Sequence, residues 1–78
     1  MNEKIATAAG NYIAAELEYM RDECESDTPV GELIGIALWT VYETIHGFNV
    51  ELNRRYWTLS NYAPALTAFN ELVKAVTA

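Results

Sequence analysis

Cys24, His46, Ser26 and Ser60 are the side chains from which nucleophilic or acid–base chemistry would first be sought, and they are the complete set of their types. A nucleophile needs a base within hydrogen-bond reach and a third group to orient that base. With one histidine, one cysteine and two serines, no local spacing builds such a set, and no Gly-rich phosphate loop is present. Carboxylates are abundant, but acid and base roles require a pair held at a defined separation in a cleft, which a solvated acidic helix does not supply. The expectation is a protein that is not an enzyme and carries no cofactor.

Asp22-Glu23-Cys24-Glu25-Ser26-Asp27 is the segment nearest to a metal pattern. Glu23, Glu25 and Asp27 repeat the alternate spacing of a calcium loop's first ligands, yet the sixth position is Thr28 where glycine is needed and the twelfth is Ile34 where glutamate is needed. A zinc site from Cys24, His46 and a carboxylate has no spacing signature. Cys24 therefore reads as a small buried hydrophobe and its neighbours as solvated acids, with no metal expected. His46 reads as a helix C-terminal cap that favours the dipole. Arg54-Arg55-Tyr56-Trp57, with Tyr62 nearby, has the residue types of a stacking platform for single-stranded nucleic acid. Two arginines are too few to overcome the overall charge; the same types anchor protein interfaces, and Trp57 could equally close the core.

That charge is concentrated. Residues 1–47 carry nine acids (Glu3, Glu16, Glu18, Asp22, Glu23, Glu25, Asp27, Glu32, Glu43) against Lys4 and Arg21, a net of −7. Residues 48–78 carry Glu51 and Glu71 against Arg54, Arg55 and Lys74, a net of +1. Such a chain repels nucleic acid and anionic membrane and attracts basic surfaces. On a first helix placed at 3–24, Glu18 and Asp22 repel at i,i+4. Asp22, Glu23 and Glu25 crowd the negative end of the helix dipole, each unfavourable by roughly 0.3–1 kcal/mol before screening. Local stability does not select these residues, so they are either solubilising or functional. The functional reading joins Glu18, Asp22 and Glu25 to a flank of Tyr12, Glu16, Tyr19 and Glu23, and expects this ridge to occupy a basic, nucleic-acid-binding surface of a partner protein. DNA-mimicking inhibitors of phages and mobile elements act in this way; the comparison is one of charge and size, not of sequence.

Stepping from these groups to the elements that carry them, the periodicity predicts a mainly α, small single-domain bundle over 1–78, with three main helices and a short fourth element. In the first helix Ile5, Ala9, Ile13, Leu17, Met20 and Cys24 form one stripe, facing a central helix. The central helix is 30–46. Its Leu33, Ala37, Val30, Val41, Ile34, Ile45 and Leu38 fill a broad core-facing arc, and Leu38→Ala is expected to unfold the domain. Gly31, Gly35, Trp39, Tyr42 and His46 gather on its other side. A helix apolar on two sides is normally covered on both, by its own chain or by another. That second face supplies the alternative function: a helical oligomerisation or adaptor module, including a homodimer, using Gly31, Gly35, Trp39 and Tyr42. Thr28 should cap this helix with Pro29 in its first position, and Gly47 should end it in the left-handed region.

Residues 48–59 fit a short helix at about 49–57, or a β-hairpin turning at Asn53-Arg54. The last helix, from Pro64 to about Thr77, turns Leu66, Phe69, Leu72, Val73 and Val76 inward. The single cysteine and the lack of a basic, apolar leader predict a reducing, cytoplasmic setting. The central stretch, interrupted by Glu32, Glu43 and His46, is too short and too polar to span a bilayer, so no membrane association is expected.

Overall fold

A computed structural model describes residues 2–23, 29–59 and 62–77, with residues 22, 23, 30 and 57–59 described by backbone alone. Four helices and no strand are found among them: α1 (Glu3–Glu23), α2 (Val30–Ile45), α3 (Val50–Leu59) and α4 (Ala63–Thr77). Residues 48–59 thus resolve in favour of the helix, which begins one residue later and ends two residues later than its spacing predicts.

Each helix end has a local cause. Asn2 caps α1, its side-chain oxygen accepting the Lys4 N–H at 2.7 Å. Pro29 stands at the N-cap of α2, not at its first helical position, and its carbonyl accepts from the N–H groups of Glu32 and Leu33. Thr28, the expected cap, lies outside the described residues. The far end of α2 closes as a Schellman motif. Gly47 takes φ +77°, its N–H donates to the Thr44 carbonyl at 3.2 Å, and the Phe48 N–H donates to the Glu43 carbonyl at 2.7 Å. Asn49, also at positive φ (53°), then redirects the chain into α3; asparagine tolerates this region better than most residues. Its side-chain amide holds the Glu43 carboxylate across the turn.

The principal pairing is α1 on α4, with α2 laid along α1 and touching α4 less, and α3 closing one end against α4 and α2. One cluster joins Ala8, Ala9 and Tyr12 of α1 with Val41 of α2 and Ala65, Phe69 and Leu72 of α4. A second joins Met20 of α1 with Leu33 and Ala37 of α2. Small alanines at the crossings let the backbones approach, while Phe69 meets Tyr12 edge to face with ring centroids 5.8 Å apart. The core is therefore organised around α1 and α4, which corrects the expectation that α2 is the centre. The molecule measures 38 × 25 × 19 Å, and its short dimension holds about two helix layers. Among the described residues no further layer covers the outer side of α2.

The core-facing arc of α2 is correspondingly narrower than predicted. Leu33, Ala37 and Val41 are buried and Ile45 is half-buried, but Ile34 is exposed and Leu38 is 51% exposed. Thr44 fills the remaining inward position, its hydroxyl donating to the Thr40 carbonyl at 2.8 Å. In α4, Phe69 and Leu72 are buried as expected, with Ala65 buried beside them and Leu66, Val73 and Val76 half-buried.

Candidate functional site

Two members of the predicted acidic flank, Tyr12 and Glu16, are not on the surface. Tyr12 is fully buried and Glu16 is 5% exposed, because the buried arc of α1 is centred near these two residues and not on Ile13, a rotation of about 60° on the helical wheel. The Tyr12 hydroxyl hydrogen-bonds the Glu16 carboxylate one turn away, while Glu16 Oε2 is buried without a partner among the described residues. Desolvation raises the Glu16 pKa, and the bond from Tyr12 offsets this only in part. Tyr19 is half-buried, its ring 5.2 Å from that of Tyr62. Glu18 alone of the ridge is described as an exposed carboxylate. The side chains of Asp22 and Glu23, and the whole of Glu25, lie outside the described residues, as does Cys24.

Few groups elsewhere converge on chemistry. Among the described residues no three His, Cys, Asp or Glu side chains are placed to hold a metal, and the Asp22–Asp27 pattern falls largely outside them. Arg54 is engaged by Glu51 at 3.0 Å, and Arg55 and Tyr56 are exposed. A groove of about 610 Å³ runs between α1 and α4 past Lys4, Asn11, Glu71 and Lys74. It is shallow, and Lys74 pairs with Glu71 at 3.3 Å.

The conspicuous surface is instead the outer side of α2. Trp39 is 63% exposed and Tyr42 46% exposed; their rings stack at 5.4 Å with an interplanar angle of 17°. Tyr42 meets the His46 ring at 4.4 Å, and His46 meets Phe48 at 6.3 Å. These four rings form an uninterrupted ladder from mid-helix to the Schellman turn. Leu52 and Tyr56, one turn apart on α3, are exposed further along the chain. Ile34 and Leu38 widen the apolar patch on α2. Gly31 and Gly35 lie within it, and a Cβ at either would meet nothing within 4 Å among the described residues. The sequence identifies Gly31, Gly35, Trp39 and Tyr42 as one face; the additions of Leu38, Ile34 and Phe48 depend on seeing that α1 covers less of α2 than its composition suggests.

His46 occupies the C-cap as expected, but its ring belongs to the ladder. No helix among the described residues is long and apolar enough to cross a membrane. No family model, curated protein or solved structure matches the chain at a significant level.

Proposed function

We propose that this protein is a non-enzymatic protein-binding module whose contact face is the aromatic, apolar side of α2, continued by Phe48 at the α2–α3 turn. The observation that carries the reading is the exposed run of ring contacts Trp39–Tyr42–His46–Phe48 beside two open glycines. Tryptophan and tyrosine are the types most enriched where interfaces concentrate their energy. Contiguous apolar patches of a few hundred Å² mark interaction sites on otherwise monomeric proteins. The ladder is also pre-ordered: rings already in contact lose little side-chain freedom when a partner covers them.

A second reading keeps the acidic half as the contact. It is favoured by the net charge of −7 over residues 1–47 and by the exposed Glu18. In it the carboxylates occupy a basic, nucleic-acid-binding surface of a partner, as a phage-type DNA mimic would. The burial of Tyr12 and Glu16 takes two members from that ridge, so the α2 face ranks first.

A photo-reactive residue at position 42, compared with one at position 18, tests the choice. Cross-linking in extract of the source cell is expected from position 42 and not from 18; the reverse pattern would overturn the reading. Salt gives an independent measure, since binding through carboxylates weakens steeply with ionic strength and binding through an apolar face does not.

A further inference from the structure

We infer that the occupant of this face is a second copy of the chain, bound through antiparallel packing of two α2 helices about a two-fold axis. The inference rests on the reading of α2 as the binding face. Gly31, Gly35, Leu38 and Tyr42 follow one another at intervals of four, three and four residues. That spacing brings them within an arc of about 60° and is the spacing of a helix–helix seam. All four positions are exposed, and Glu32 and Glu43 lie off the seam.

The seam is tapered. Its N-terminal half is glycine, open to at least 4 Å where side chains would stand, and its C-terminal half is Leu38 and Tyr42. A parallel pair would set glycine against glycine at one end, leaving a void, and Tyr42 against Tyr42 at the other, forcing the helices apart. An antiparallel pair centred between residues 36 and 37 sets Gly31 opposite Tyr42 and Gly35 opposite Leu38, each small residue receiving a large one, twice by symmetry. The helix dipoles then oppose each other.

Area agrees with a dimer. Aromatic side chains present about 150–250 Å² each, so Trp39, Tyr42 and Phe48 at roughly half exposure, together with Leu38 and Ile34, offer several hundred Å². That approaches the ~800 Å² per partner of a standard interface. Charge selects the same surface. Two chains of net −6 can approach only where carboxylates are absent, and the seam has none.

Sedimentation equilibrium of the full chain, in a Cys24→Ser background, is the first arm of the test. A dimer is expected, tightening as salt screens the repulsion between the two acidic chains. Gly35→Leu should return it to monomer with its helicity and cooperative melt retained, the melting temperature no longer depending on protein concentration, since the monomer has room for the side chain. The second arm mixes Gly31→Cys and Tyr42→Cys chains under mild oxidation. Antiparallel packing predicts the mixed disulfide and neither homodisulfide, because like positions would lie about 16 Å apart along the axis, beyond disulfide reach. Homodisulfides at both positions would overturn the orientation. A monomer at every attainable concentration would overturn self-pairing; if position 42 still cross-links to a different protein, the binding face stands and only its occupant is wrong. Loss of cross-linking at position 42 while position 18 retains it would overturn both.

Discussion

Replacing Glu16 by glutamine should make the protein more stable at neutral pH. Glu16 is 5% exposed, Oε2 has no partner among the described residues, and desolvation raises its pKa. A buried, unsatisfied polar group costs about 1–3 kcal/mol, and a charged one more. Glutamine keeps the length of the side chain and an oxygen to accept from Tyr12, and removes the charge. The amide brings its own desolvation cost, so the net gain should sit near the low end, about 1 kcal/mol, or about 4–8 °C in Tm for a domain of this size. The pH dependence has a definite sign. A carboxyl whose folded-state pKa is raised contributes stability that is complete below its unfolded value, 4.5, and that is lost as pH rises through the higher folded value. Acidifying wild type from neutral pH toward 4.5 should therefore recover the deficit, and the Glu16→Gln chain should gain less. Repulsion among the exposed acids is common to both chains and cancels in their difference. Urea denaturation of both across this range reads that difference directly. A Glu16→Gln chain less stable than wild type at neutral pH, or a gap independent of pH, would show that the buried Glu16 charge does not limit stability.

Four further substitutions test the architecture. Phe69→Ala, at a fully buried ring against Tyr12, should cost about 3–5 kcal/mol and abolish the cooperative melt, whereas Leu38→Ala should cost under about 1 kcal/mol, its side chain being half in water. Gly47→Ala should lower stability by about 1–2 kcal/mol in urea denaturation, since φ is +77° there. Gly10→Ala on α1, where a Cβ would meet nothing within 4 Å, should raise stability by roughly 0.8–1.0 kcal/mol in the same assay.

Helix positions are legible in the sequence because their signals are local. Pro29, Gly47 and Pro64 punctuate the chain, and the 3.6-residue period places α1, α2 and α4 within a residue or two at each end. The short α3 is less so, because Phe48, Val50 and Leu52 alternate as a strand would while Leu52 and Tyr56 keep helical spacing; the Schellman turn and Asn49 at positive φ feed the chain into the helix. Which faces pair is decided by contacts between distant residues. Tyr12 and Glu16 look like a polar flank on a helical wheel, yet each satisfies part of the other's hydrogen bonding, so α4 can cover them. The composition of α2 shows that it is apolar on two sides. It does not show that α1 and α4, once paired with each other, leave one of those sides bare.

The claim that the α2 face is the binding surface is tested most directly by the emission of Trp39 in a Trp57→Phe chain, where it is the one remaining tryptophan. In dilute protein Trp39 should emit as a water-exposed indole and be quenched readily by acrylamide, matching its 63% exposure. On association, with a second copy or with any other protein, its emission should shift to the blue and quenching should fall severalfold. Association that leaves the emission and quenching of Trp39 unchanged would contradict the account.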